Sequence, residues 1–156
     1  MLAAFLRPSQ MIDPKFLLGQ WAGFFDYGPE YGDKLHGEKV SFRLYIKFYW
    51  DGIFIGECVD HDGVGSNFEK ATINGFLDGD FISFIKRYPH FHGFDEKGNP
   101  IEDEKIPHPE IHYTGQYNHN RKAFIGSWEM QIGIHALDEE SEVEINAGKW
   151  EAIKDD

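Results

Sequence analysis

Val40-Ser41-Phe42-Arg43-Leu44-Tyr45-Ile46-Lys47-Phe48-Tyr49-Trp50 decides the fold. Its even positions, Val40, Phe42, Leu44, Ile46, Phe48 and Trp50, are apolar. Its odd positions, Ser41, Arg43, Tyr45, Lys47 and Tyr49, are polar or amphipathic. Period-two alternation without a break, in a run rich in β-branched and aromatic residues, predicts one long strand with a dry face and a wet, partly aromatic face.

Working outward, Asp51-Gly52 predicts a type I′ hairpin turn, because both central residues must take positive φ. Ile53 to Val59 then returns as the next strand. On the other side, Tyr27 to Gly37 is a loop marked by Gly28-Pro29, Gly32-Asp33 and Gly37. Leu17 to Phe25 reads as the first strand. Residues 1–16 read as an arm with a short helical turn, capped by Ser9 or Asp13, with Pro14 at its first position. Downstream, Asp60 to Asn67 is a polar loop. Phe68 to Leu77 and Asp80 to Tyr88 are strands about an Asp78-Gly79 turn. Residues 89–110 form a long loop with a small hairpin around Gly98-Asn99. Ile111 to Tyr117 and Ala123 to Met130 make the last clear hairpin, and Val143 to Ile153 closes the set. Ile132 to Glu142 has no clear pattern. About eight short strands without a long amphipathic helix predict an all-β fold. An antiparallel up-and-down barrel, spanning residues 17–153 as one domain, removes the exposed edges. A β-sandwich is the alternative.

The totals agree. At 156 residues the chain fits one domain. Fourteen Phe, seven Tyr and four Trp favour strands. A net charge of -12 opposes nucleic acid and anionic membranes as partners. The lone Cys58 makes no internal disulfide and fits a reducing compartment. No apolar run reaches the ~20 residues of a membrane span, and Met1 to Arg7 is too short for a signal peptide. The expectation is an acidic cytoplasmic protein.

Gly19-Gln20-Trp21, opening the first strand after a helical turn, resembles the G-x-W signature of the calycins, which include lipocalins, fatty-acid-binding proteins and avidins. Gly126-Ser127-Trp128 and Gly148-Lys149-Trp150 repeat it. The biotin site of avidins has no counterpart here. A longer pattern runs through Gly56-Glu57, Asp60, Gly63, Gly65, Phe68, Ile73 and Gly75. It continues through Ile82-Ser83-Phe84, Lys86, Tyr88, Ile111, Tyr113, Gly115, Ile125, Gly126 and Trp128. This resembles a class of small β-barrel domains with strand pairs of the form F-x-K-x-Y, Y-x-G and G-x-W. The substrate-binding barrel of one F-box adaptor is similar. The resemblance covers about half the chain and implies a calycin-like barrel with no agreed activity. Four residues between Phe68 and Ile73, and the insertion from His90 to Glu110, depart from the pattern.

Phe84, Lys86 and Tyr88 share one strand face, and Ile85 and Arg87 the other, so the sequence leaves open which face is inside. If Phe84 points inward, Lys86 follows it and needs a carboxylate, Glu57 or Asp60. Such a site suits a carboxylate or a peptide end; otherwise Lys86 snorkels at the rim. Tyr113 and Trp128 on facing strands, with Trp21 and Tyr45, line an aromatic pocket or simply fill the core. His90, His92, His108 and His112 have the donor type for Zn²⁺ but lack a metalloprotease motif or paired Cys. Asp60-His61-Asp62-Gly63 has the opening of a calcium loop without its third acidic ligand. Haem-binding barrels of calycin type use a histidine near the C-terminus, a place His135 can fill. No nucleophile elbow, phosphate loop or dinucleotide fingerprint is present.

These readings give three expectations. The first is a non-catalytic binding module for a small molecule or peptide end, built from Trp21, Tyr45, Glu57, Asp60, Lys86, Tyr88, Tyr113 and Trp128, with no cofactor. The second is a solid barrel acting through Arg43, Tyr45, Lys47 and Tyr49 on its outer surface, or through a homodimer. The third is a metal-dependent enzyme using the His90 to His112 region.

Overall fold

Asp51 and Gly52 both adopt positive φ, 48° and 83°. They form the tight turn that joins β2 (Lys39–Trp50) to β3 (Ile53–Asp62). The computed structural model, which describes residues 11–134 and 142–155, builds the rest of the wall from the same unit. Helix α1 (Pro14–Leu17) precedes β1 (Gly19–Asp26), and a 3-10 turn (Pro29–Tyr31) follows it. After β3 come β4 (Ala71–Asp78), β5 (Phe81–Arg87), the short pair β6 (Phe91–Phe94) and β7 (Pro100–Asp103), then β8 (Ile111–Asn118), β9 (Ala123–Ile134) and β10 (Glu142–Lys154).

Eight strands close in the order β1-β10-β9-β8-β5-β4-β3-β2, each neighbour antiparallel, as an up-and-down barrel. The β6–β7 hairpin stands apart as a two-stranded sheet within the predicted long loop. β4 starts at Ala71, not at Phe68, which is 74% exposed in the preceding loop. The four-residue gap after Phe68 is thus loop, which explains the departure from the strand pattern there.

The inner face of the wall is apolar. Val40, Phe42, Leu44 and Ile46 of β2 are buried, and so are Phe54, Ile73, Ile82 and Phe84. Phe84 stacks on Tyr113 at 4.7 Å, and Trp150 meets both rings edge-on, so the middle of the barrel is solid. The alternation of β2 does not run to its end. Ile46 faces Gly56 and Phe48 faces Ile55, which leaves Lys47 as an extra residue. This bulge turns Phe48 and Trp50 outward, 55% and 73% exposed, and packs Tyr49 against the core instead.

The two ends differ. At one, α1 lies across the barrel: Leu17 is buried, and its carbonyl accepts from Trp21 Nε1 at 2.9 Å. Asp13 caps α1 by accepting from the Lys15 amide at 2.9 Å. Trp21 packs against Phe124 and Phe16 there. Among the described residues, the other end, where β3 and β5 finish and β8 begins, is covered by loops, the 3-10 turn and the β6–β7 hairpin. Among the described residues no helix is long and apolar enough to cross a membrane.

Candidate functional site at the barrel mouth

Alternation along β5 settles the face left open by the sequence. Ile82, Phe84 and Lys86 point inward, because Phe84 belongs to the core and Lys86 lies two residues beyond it. Lys86 is 1% exposed and its partner Asp60 is 0% exposed. Asp60 reaches inward from β3 opposite Phe42, next to a second bulge that leaves His61 as the extra residue. Lys86 Nζ donates to Asp60 Oδ1 at 3.1 Å, and the Tyr88 hydroxyl donates to Asp60 Oδ2 at 2.6 Å. The Asn67 amide adds a third bond to that carboxylate at 3.1 Å. The ammonium sits 4.7 Å from the Tyr88 ring centroid, 4.9 Å from Phe25, 5.6 Å from Phe42 and 5.8 Å from Tyr113.

Burial alone pulls the Lys86 pKa down, but the Asp60 charge outweighs it and holds the group well above its ordinary value. Lys86 is therefore a fixed cation, not a nucleophile. Burial pushes the Cys58 thiol up to about 12, so this cysteine is inert rather than activated. Burial likewise raises Tyr88 and Tyr113, which stay protonated.

Directly outside this pair is a cleft of about 530 Å³. Phe25, Tyr88, Tyr113 and Asn67 form its floor and separate it from Lys86 and Asp60, which do not line it. Its walls carry an aromatic cluster. Tyr27 lies 4.8 Å from Tyr31 and 5.4 Å from Phe94, and Tyr31 lies 6.2 Å from Trp128. Gly65 makes this closure feasible: with φ of 81°, a Cβ there would fall 2.4 Å from the Phe94 ring and 2.7 Å from the Tyr27 hydroxyl. Glu30, Asp95, Glu96 and Glu144 line the cleft as well, and no Lys or Arg does among the described residues. Asn67 has a polar atom left over. Asn67 Oδ1 accepts from the Glu69 amide at 3.0 Å, which fixes the amide's orientation, while its Nδ2 is buried with no partner.

The sequence-predicted residues divide into three groups. Asp60, Lys86, Tyr88, Tyr113 and Trp128 meet at the mouth, with Tyr113 and Trp128 directly opposed across β8 and β9. Trp21 is buried at the far end, against α1. Tyr45 and Glu57 are corrected to the outer wall, where they face each other across β2 and β3. Glu57 pairs with Lys47 at 2.8 Å and Lys70 at 3.5 Å, and the Lys47 hydrogen bond keeps its pKa below the usual carboxylate range. Of the outer set, Arg43 pairs with Asp155 and Lys47 with Glu57, while Tyr49 turns to the core. Asp60 spends its carboxylate inside the barrel, so Asp60-His61-Asp62-Gly63 is strand and bulge, not a calcium loop. The haem reading at His135 lies outside the described residues.

The histidines separate too. His90 and His92 come together, with ring centroids 4.6 Å apart. Burial, and then the nearby His90, lowers the His92 pKa. His108 is close by, but its Nδ1 faces the Pro109 carbonyl at 2.7 Å and its Nε2 the His92 carbonyl at 3.0 Å. Burial keeps its pKa low, so one of those nitrogens donates and neither points toward His90. His112 is exposed on the outer wall, opposite Glu129.

Sequence reasoning missed Tyr27, Tyr31, Asn67 and Phe94. All but Phe94 lie on loops or turns, where no periodicity marks a face. The one available signal was two tyrosines flanking the Gly28-Pro29 turn.

No family model, curated protein or solved structure matches this chain. The closed eight-stranded antiparallel barrel is compatible with a calycin-like fold.

Proposed function

We propose that the protein is a non-catalytic binding module whose mouth takes a small molecule or peptide end. The ligand is mainly apolar, uncharged or cationic, and carries a hydrogen-bond acceptor. The observation that carries this reading is the aromatic cleft with Asn67, whose Nδ2 is unpartnered, in its floor. Aromatic walls supply contact area, and a few polar atoms supply orientation. Four carboxylates and no Lys or Arg among the described residues favour a neutral or positive group over an anion. Lys86 orders the floor rather than meeting the ligand, because Asp60 already matches its charge. On this reading a calycin-like relationship lies in the mode of use, an open barrel end, rather than in any shared site residue.

The test is titration with a neutral fluorescent probe, N-phenyl-1-naphthylamine, beside the anionic probe anilinonaphthalene sulfonate. The neutral probe is expected to saturate at one per chain and to bind more tightly than the anion. Tyr31→Ala or Phe94→Ala should weaken it about 5- to 10-fold, the worth of one aromatic contact. Absence of saturable binding, or binding indifferent to both substitutions, overturns the reading.

A further inference from the structure

The β6–β7 hairpin carries a second cluster, beside the cleft. His90, in the bend before β6, and His92, on it, come together with ring centroids 4.6 Å apart, and Glu102 faces His92 across the hairpin in register. Glu69, from the loop that enters β4, meets them from the barrel side. The donor atoms are gathered closely. Glu69 Oε1 lies 3.1 Å from His90 Nε2, and Glu102 Oε2 lies 3.7 Å from both His90 Nε2 and His92 Nδ1. One donor atom each from Glu69, His90 and His92 falls within 4.8 Å of the others. Tetrahedral coordination with bonds of about 2.0–2.1 Å requires donor separations of about 3.3 Å.

A plain set of ion pairs accounts poorly for this geometry. His90 Nε2 and His92 Nε2 are both buried and neither makes a hydrogen bond. The Glu69 oxygen is near the His90 nitrogen but off its N–H direction, so proximity there does not satisfy the ring. Two imidazoles, each with a buried Nε2 that makes no hydrogen bond, next to two carboxylates are a donor set that suits zinc and similar borderline ions.

We propose that Glu69, His90 and His92, with Glu102 beside them, bind a divalent transition-metal ion, Zn²⁺ foremost, which clasps the β6–β7 hairpin to the loop entering β4. Two carboxylates balance the ion's charge. Glu69, His90 and His92 supply three protein donors, Glu102 stands 3.7 Å from both histidines, and the bound ion would hold the cover of the mouth in place. His108 and His112 take no part, for the reasons of orientation and position given above. The proposal does not depend on what the cleft binds, so either can fail without the other.

The experiment is titration of chelator-treated protein with ZnCl₂ by calorimetry, and with CoCl₂ by visible absorption. One Zn²⁺ per chain is expected, together with the intense bands of tetrahedral Co²⁺ and a rise in Tm on adding Zn²⁺. The double variant His90→Ala/His92→Ala should lose affinity by at least ~100-fold, more than the loss of an outer-shell partner. Glu69→Gln, at an exposed residue that leaves the fold intact, should lose at least ~10-fold and alter the Co²⁺ bands. His112→Ala should match the unaltered chain. No saturable binding of either metal overturns the proposal, and so does affinity unchanged in both the double variant and Glu69→Gln.

Discussion

Lys86 and Asp60 form a buried pair that is costly to break and of modest worth to keep. Taking both charges out of water offsets most of their attraction, whereas removing one partner leaves the other stranded. Asp60 would retain only the Tyr88 hydroxyl and the Asn67 amide if the ammonium went. Lys86→Met should therefore destabilise the fold by about 3–5 kcal/mol in urea unfolding. Adding Asp60→Asn should restore most of that loss, because a neutral amide needs no counter-charge. A single variant within ~1 kcal/mol of the original would show that the remaining two hydrogen bonds suffice for Asp60. The pairing was partly legible. F-x-K-x-Y announced that Lys86 would follow Phe84, and Asp60 was one of two carboxylates in range. Parity separates the two: Phe54, Cys58 and Asp60 share the inner face of β3, and Glu57 falls on the other. The same rule places Tyr45 with Arg43 and Lys47 on the outside, so a pocket role for Tyr45 contradicted its own strand pattern.

Among the elements, α1 has the clearest separable task. Its four residues form no independent helix, and their stability comes from docking Leu17 into the end of the barrel. Leu17→Ala should cost about 2–4 kcal/mol in thermal or urea unfolding. Binding of the neutral probe at the opposite end should stay within twofold of the original at a temperature where the variant is folded. A selective loss of probe binding would instead mean that the two ends are coupled through the Phe84, Tyr113 and Trp150 stack. The expected Asp78-Gly79 turn lies one residue later, at Gly79-Asp80, because Asp78 ends β4 opposite Phe81. The Asp51-Gly52 turn was readable because that pair has few conformations open to it. The β2 bulge was not. Its sequence alternates without interruption through Lys47, and the extra residue appears only when β2 is laid against the shorter inner run of β3. Curvature of a closed wall is a property of neighbours, and no single strand contains it.

At the scale of the whole molecule, stability should be lost on the alkaline side. Cys58 ordinarily ionises near 9.0 and tyrosine near 10.0, while burial raises Cys58, Tyr27, Tyr88 and Tyr113. Lys86, raised by Asp60, adds the same sign: the folded chain keeps a proton that the unfolded chain gives up. Each proton so retained lowers unfolding free energy by about 1.4 kcal/mol per pH unit. Urea midpoints should therefore hold steady from pH 7 to 8.5, decline from Cys58 first, and fall more steeply above pH 10 as the tyrosines join. A Cys58→Ala variant should delay the onset of that decline. A flat profile to pH 11 would contradict the burial of these groups. Closure and antiparallel order were legible in the chain, since short alternating strands without helices leave few other ways to hide a dry face. The mouth was not, because its walls come from loops whose residues meet only after closure. The plugged end has a further meaning for traffic. With α1 across one end and stacked rings filling the middle, the barrel is a cul-de-sac. Nothing can be threaded through it or handed from one side to the other. On the proposed reading, whatever enters would have to leave by the same door, past the residues of the β6–β7 hairpin that line it.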